Sequence, residues 1–262
     1  SSLIINTSEF NEVVERLRAF FISRKFLEVS TQNRLSILAA CEDPFNVGIF
    51  NYAGSCWPLP QTGQMWLEYE LLTKPETPGF FCVSTSYRQE PNPIPGRHET
   101  IFPMFEFEFP GDINDLEEME HELCSYLGFG ELPSKNYSQW AEDFSVTELD
   151  TNEEAKIWDG MIKNFPNFTS PFWNMKQNGD GTAAKIDVIL GGMETIGSAE
   201  RSTNKAEMRD TFHTISGGKY ATLLYDKFGF DRVETELKDF LSFDFFPRVG
   251  GGIGLTRLIQ AM

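Results

Sequence analysis

The stretch Phe81-Cys82-Val83-Ser84-Thr85-Ser86-Tyr87-Arg88-Gln89-Glu90, then Pro91-Asn92-Pro93-Ile94-Pro95-Gly96-Arg97-His98, then Ile101-Phe102-Pro103-Met104-Phe105-Glu106-Phe107-Glu108-Phe109, decides how this chain is read. The first segment reads as a strand, the second is too rich in proline for helix or ladder, and Phe102 to Phe109 reads as a second strand. Together they make a hairpin with cations, Arg88 and Arg97, at both edges of its loop. Alternation places Phe105, Phe107 and Phe109 on one face of the second strand and Met104, Glu106 and Glu108 on the other. A face carrying two acids beside an arginine is a polar floor, better suited to a ligand than to a core.

The second informative run is Gly250-Gly251-Gly252-Ile253-Gly254-Leu255-Thr256-Arg257. Glycines so crowded leave room for something pressed against bare backbone, a flat ring or a phosphate, and Arg257 just beyond can stack on a base or meet a phosphate. The bland alternative is a turn before a helix. The spacing matches neither the dinucleotide fingerprint nor a P-loop, so a nucleotide site here requires a different fold.

Around these runs the pattern is mixed. Ser8 is a candidate N-cap for a helix over Glu9 to Arg24, with Phe10, Val13, Val14, Leu17, Phe20 and Phe21 on one face. Leu27 to Thr31 reads as a short strand, Glu42 to Pro60 as loop-rich, Gln64 to Leu72 and Asp115 to Leu127 as helices. From Glu131 to Gln177 the pattern places no element. Lys185 to Leu190 and Met193 to Arg201 read as strands joined by a bend at Gly191-Gly192, and Asn204 to Ile215, Lys219 to Phe228, Val233 to Ser242 and Leu255 to Met262 read as helices. Strands joined largely by hairpins, with helices between and at the ends, predict an α+β fold: an antiparallel β-sheet flanked by helices.

At this point the residues resemble a known family. Tyr87-Arg88-Gln89-Glu90 with Arg97-His98 and Phe102 resembles motif 2 of the class II aminoacyl-tRNA synthetases, the glycine run ending in Arg257 resembles motif 3, and Phe26-Leu27-Glu28-Val29-Ser30-Thr31 resembles motif 1. Within that class, Gln61 to Glu68 and the segment holding Asp187 and Glu194 to Arg201 resemble the aspartyl/asparaginyl branch. The ammonia-using asparagine synthetases share this core. The resemblance implies a class II synthetase-like catalytic domain over residues 1–262 that forms an acyl-adenylate.

The resemblance also implies roles. Arg88 and Arg257 would be the catalytic pair, Arg88 on the α-phosphate and carboxyl, Arg257 against the adenine. Glu90 would read the adenine amino group, Phe102 stack the other adenine face, Arg97 and His98 reach the outer phosphates, and Gly251 and Gly252 let the nucleotide approach. Asp187 and Glu194 would hold Mg2+ between phosphate oxygens. Gln64 and Glu106 match positions that hold the α-amino group, and Arg201 the position that grips a side-chain oxygen. Where aspartyl enzymes carry lysine this chain has Leu67, followed by Glu68 as in the asparaginyl pattern. An acid there repels a second carboxylate and accepts from an amide, so a neutral side chain is expected. The chain departs from the family at Gln32, which replaces the motif 1 proline used at the dimer interface, at Ile101 and Pro103, which flank Phe102, and at Ser198-Ala199. A homodimer is expected nonetheless.

Composition narrows the function. Lys+Arg 22 against Asp+Glu 39 gives a net charge of -17, whereas a tRNA-binding surface normally shows a basic stripe, so nucleic acid is a disfavoured partner. The chain opens at the helix before the motif-1-like segment and closes at motif 3, so no anticodon-binding domain is expected. No apolar run reaches membrane-spanning length, Ser1 to Phe10 does not read as a signal peptide, and Cys41, Cys56, Cys82 and Cys124 are scattered as free thiols are, which together point to a cytoplasmic protein. His98, His121 and His213 show no metal-ligand spacing, which excludes a metal hydrolase. The expected activity is ATP-dependent activation of an asparagine- or aspartate-like acid with transfer to ammonia or a small amine. The alternatives are an asparaginyl-type tRNA synthetase and a non-catalytic sensor of an amino acid or nucleotide.

Overall fold

A computed structural model describes residues 5–31, 35–37, 43–95, 97–169 and 172–262; Gln32, Cys41 and Gly96 lie outside the described residues. Helix α1 (Thr7–Ser23) is capped by Asn6, whose side chain accepts from Glu9 N at 3.0 Å, two residues ahead of the expected Ser8. Asn and Ser serve equally well as N-caps, so local sequence could not choose between them. The buried face of α1 is Val13, Val14, Leu17, Phe20 and Phe21, as its period predicts.

Strand β1 (Leu27–Glu28) is shorter than expected. The segment read as loop-rich contains a hairpin, β2 (Ile49–Tyr52) with β3 (Ser55–Pro58), turning through Ala53 and Gly54 at φ 52° and 76°. Alanine is a rare occupant of that conformation, which is why the sequence carries no turn signal there. Helix α2 (Gln64–Thr73) precedes the expected hairpin of β4 (Phe80–Tyr87) and β5 (Ile101–Pro110), paired antiparallel from Phe80↔Glu108 to Tyr87↔Ile101. Helix α3 (Ile113–Tyr126) opens on a capping box between Asp112 and Asp115.

The unassigned stretch holds β6 (Ser134–Asn136), α4 (Tyr137–Asp143), α5 (Thr151–Ile157) and β7 (Gly160–Pro166), each too short for a period to register. Strands β8 (Thr182–Leu190) and β9 (Met193–Glu200) follow, joined through Gly191 and Gly192 at φ 61° and 81°. A two-residue hairpin turn with both φ positive selects glycine. Helices α6 (Lys205–Thr214), α7 (Lys219–Phe228) and α8 (Phe230–Phe240) come next, then β10 (Arg248–Gly254) and α9 (Leu255–Ala261).

The main sheet runs β1-β4-β5-β10-β9-β8-β7-β6, antiparallel throughout except at its two edges, where β1 pairs with β4 and β6 with β7 in parallel. It is the α+β fold that the strand pattern predicts. The glycine run, however, is no turn: it is a central strand between β5 and β9.

Because side chains alternate, the sheet has two distinct faces. Phe81, Phe105, Phe107, Val249, Ile253 and Ile186 pack on one, beneath α1, α3 and α9, with the Phe21 ring 5.3 Å from those of both Phe105 and Phe107. A second core gathers Phe212, Tyr220, Leu224 and Phe240 of α6–α8 around Trp173. Among the described residues no helix is long and apolar enough to cross a membrane.

Candidate active site

The other face of the central strands floors a solvent-open cleft. The β4–β5 hairpin supplies most of its wall: Arg88 and Glu90 beyond the end of β4, Arg97 and His98 from the loop, Phe102 from β5. Three other elements complete it, with Glu194 from β9, Gly252 from β10 and Arg257 from the first turn of α9. Gly251 is not among the lining residues. A Cβ on it would meet Ser198 Cβ at 2.6 Å and Phe107 Cζ at 3.1 Å, so it points to the apolar face and away from the cleft.

The room above the other glycines is also unevenly available. A Cβ on Gly250 would come within 2.7 Å of the Phe107 carbonyl and collide with the Glu108 carboxylate, and one on Gly252 would meet Met104 Cε at 2.7 Å. Only at Gly254, the N-cap of α9, is the nearest neighbour as far as 3.9 Å. The glycine run therefore serves packing at one end and the cleft at the other.

Arg257 Nη1 donates to Glu194 O at 2.7 Å and Nη2 to Arg97 O at 3.1 Å, which ties α9 to the hairpin loop across the cleft. Arg97 Nη2 pairs with Glu154 Oε2 of α5 at 2.6 Å. His98 Nδ1 accepts from Ile94 N at 3.1 Å, which leaves the proton on Nε2 as a donor.

Asp187 faces Gly197 across the β8–β9 ladder, and a Cβ on Gly197 would lie 2.7 Å from Glu194 Oε1 and 4.0 Å from Asp187 Oδ1. Both carboxylates thus lean over the same bare glycine. Asp187 Oδ1 is buried without a hydrogen-bond partner, Lys185 Nζ standing 3.5 Å away as an ion pair only. Burial pushes the Asp187 carboxyl up to about 7, Lys185 pulling it down and Glu194 and Glu154 pushing it further up. Two carboxylate oxygens of this kind fit a hard divalent cation whose remaining ligands are phosphate oxygens or water.

The four residues expected to hold the amino acid lie below the cleft, none of them lining it. Glu106 accepts from Gly63 N at 2.8 Å, from Ser84 Oγ at 2.6 Å and from Thr62 Oγ1, which anchors the start of α2 to β5. Gln64 bridges, its Nε2 donating to Gly251 O at 2.5 Å and its Oε1 accepting from Arg201 Nη2 at 2.8 Å. Arg201 also forks onto Glu108, Nε to Oε1 at 3.2 Å and Nη2 to Oε2 at 3.1 Å, in a pair almost without exposure. Burial pushes the Glu108 carboxyl up to about 7 against the pull of Arg201.

Glu68 needs the larger correction. Its expected repulsion of a carboxylate presumes an uncompensated charge, but Arg248 Nη2 donates to Glu68 Oε1 at 2.7 Å and Asn174 Nδ2 to Oε2 at 2.9 Å, all three side chains being fully buried. Sequence reasoning missed Arg248, Asn174 and the partner role of Glu108. Only Glu108 had a signal, since alternation already set it beside Glu106.

The model of the family tRNA synthetases class II (D, K and N) matches residues 6–262. Among solved structures, the asparaginyl-tRNA synthetase of Pyrococcus horikoshii complexed with asparaginyl-adenylate is similar at a TM-score of 0.79 and 18% identity, over 97% of this chain and 64% of that one. The Entamoeba histolytica asparaginyl-tRNA synthetase in complex with asparaginyl-adenylate gives 0.76 at 17% identity, over 97% and 62%. The aspartyl-tRNA synthetase of the same organism gives 0.74 at 17%, over 97% and 54%. The chain therefore spans between 54% and 64% of the length of these structures. No curated protein matches it. With its sheet and helices shared with these catalytic cores and the family match running from residue 6 to residue 262, the chain belongs to the class II tRNA synthetases of the D, K and N type.

Proposed function

We propose that this protein uses ATP to activate an asparagine- or aspartate-like amino acid as its acyl-adenylate and passes the acyl group to ammonia or a small amine. The observation that carries this reading is convergence: Arg88, Glu90, Arg97, His98, Phe102, Glu194, Gly252 and Arg257, drawn from separate parts of the chain, line one cleft. Adenylate formation needs little covalent help from the protein. A carboxylate oxygen attacks the α-phosphorus in line, the bond to pyrophosphate breaks, and positioned cations stabilise the charge that develops.

In this proposal Arg88 holds the α-phosphate and the attacking carboxyl, while Phe102 and Arg257 enclose the adenine and Glu90 accepts from its amino group. Arg97 and the Nε2–H of His98 meet the outer phosphates. Asp187 and Glu194 would hold Mg2+, which when bound supplies neutralisation of phosphate charge. Gln64 and Glu106 orient the α-amino group and Arg201 an oxygen of the side chain. Nitrogen attack on the acyl carbon then releases AMP and leaves an amide.

The test is amino-acid-dependent exchange of labelled pyrophosphate into ATP, screened over all amino acids without tRNA. Exchange with a small set of related amino acids is expected; none with any would overturn the reading. Membership of a tRNA synthetase family favours a second reading, asparaginyl-type charging of tRNA. The charge of -17 speaks against it, since a chain so acidic is repelled by phosphate backbones. Submicromolar, salt-sensitive tRNA binding in a low-salt gel shift would promote that second reading. We also propose a homodimer, for which β1 offers a sheet edge with Leu27 exposed.

A further inference from the structure

The ion pair of Arg97 Nη2 with Glu154 Oε2, at 2.6 Å, joins a residue of the cleft wall to one that is not among the lining residues. Arg97 stands on weak ground. Among its described residues the β4–β5 loop that carries it forms neither helix nor strand, and an arginine side chain has many rotamers that binding must freeze. Helix α5, which carries Glu154, is by contrast bolted to the sheet. Its first turn is closed by a capping box between Asp150 and Glu153, Trp158 O accepts from Gly192 N at 2.8 Å, and Asp159 Oδ1 accepts from Gly191 N at 2.9 Å.

Gly191 and Gly192 join the strands that carry Asp187 and Glu194. A closed ring of contacts results. It runs from Glu154 to Arg97, from Arg97 O to Arg257 Nη2 at 3.1 Å, from Arg257 Nη1 to Glu194 O at 2.7 Å, and from β9 through Gly192 back to α5.

We infer that Glu154 is a positioning residue for the outer phosphates of ATP, fixing Arg97 so that the N–H groups Glu154 does not take are presented to the cleft. This deepens the activation reading and rests on its placement of Arg97 at those phosphates. A guanidinium is a rigid plane with five N–H donors, so holding one edge at Nη2 aims the others. Charge gives a second reason. Glu194 lines the same cleft as Arg97 and leans with Asp187 over Gly197. An arginine freed from Glu154 has these carboxylates as its next partners, and the proposed Mg2+ site needs them. Glu154 answers Arg97 from outside the cleft lining and leaves them clear. A latch that phosphate must displace is the opposite arrangement: Glu154 would then compete with ATP, so the sign of its effect on affinity separates the two.

Isothermal titration of the full chain with ATP, pyrophosphate and AMP, each with Mg2+, tests this without amino acid or acceptor. Glu154→Ala should weaken ATP and pyrophosphate about tenfold, as loss of a charge-assisted hydrogen bond does, and leave AMP, which lacks the outer phosphates, within about twofold. Glu154→Gln keeps an oxygen for Arg97 Nη2 and should recover most of the loss. In an Arg97→Ala background Glu154→Ala should add nothing, because it acts through that arginine. Unchanged or tighter ATP binding in Glu154→Ala overturns the inference, as does a parallel loss of AMP or a Glu154→Gln no better than Glu154→Ala. If Glu154→Ala does not fold, Glu154→Asp, which withdraws the charge by one methylene, takes its place and should weaken ATP with AMP unchanged. A wild type that binds ATP and pyrophosphate yet exchanges with no amino acid sinks the activation reading and leaves these comparisons to judge Glu154. A wild type that binds neither removes both.

Discussion

The nucleotide cleft and the acidic floor beneath it use the same residue types on the same sheet in opposite ways. In the cleft, Arg257 donates to the backbone carbonyls of Glu194 and Arg97, Arg97 pairs with the half-buried Glu154, and the cleft beside them is open to solvent. In the floor, Arg201, Glu108, Gln64, Arg248, Glu68 and Asn174 close on one another with almost no exposure. The difference teaches where each kind of substitution will be felt. A cation facing open space contributes to what binds there, whereas a buried ion pair is also part of the folded structure, and losing one partner strands the other.

The largest effect on activity is expected in the cleft. Arg88→Ala and Arg257→Ala should each lower pyrophosphate exchange by roughly 10²–10³-fold, as loss of a transition-state donor does. Wild-type exchange in either variant would break the site assignment. In the floor, Arg201→Ala should cost about 3–5 kcal/mol of stability, because it leaves Glu108 buried and unpaired. Pairing it with Glu108→Leu should restore much of that loss, and chemical denaturation of the two variants measures the difference.

A subtler version compares two glycines of one strand. Gly250→Ala pushes a methyl group at the Phe107 carbonyl, which as backbone cannot yield, and should cost about 1–3 kcal/mol. Gly254→Ala meets nothing nearer than 3.9 Å and should stay within about 0.5 kcal/mol. Equal costs would mean that the two ends of the strand are not distinguished by packing.

That contrast also marks what could be read from the sequence. The hairpin was legible because Phe105, Phe107 and Phe109 alternate with Glu106 and Glu108 in adjacent positions, and the approach of the Asp187 and Glu194 carboxylates because Gly191-Gly192 brings two consecutive strands together. The role of the glycine run was half legible. Its openness at Gly254 is real, but the space at Gly250 belongs to Glu108, that at Gly251 to Ser198 and that at Gly252 to Met104, partners that only the fold brings together. Arg248 and Glu68 are 180 residues apart, and no local pattern announces a pair across such a distance. The short elements between residues 134 and 166 escaped for a different reason, each holding too few residues to show a period.

The smallest expected effect lies on the apolar side of the sheet, where Glu120 of α3 is fully buried with Ser198 Oγ at 3.0 Å. Burial pushes its carboxyl well above the ordinary 4.5, while Ser198 pulls it down. The folded chain therefore keeps a proton that the unfolded chain releases, so this contribution to stability is full below pH 4.5 and shrinks as pH rises above it. Glu120→Gln removes the titration. Its Tm should gain on wild type steadily from pH 5 to pH 8, and a constant difference would show that Glu120 ionises normally.

The most direct test of the central claim follows the α-phosphate of ATP. Incubated with the protein, Mg2+ and L-asparagine, ATP labelled at that position should yield labelled asparaginyl-adenylate and AMP, with pyrophosphate as the other product, and only when the amino acid is present. Labelled ADP, or cleavage indifferent to the amino acid, would contradict the account.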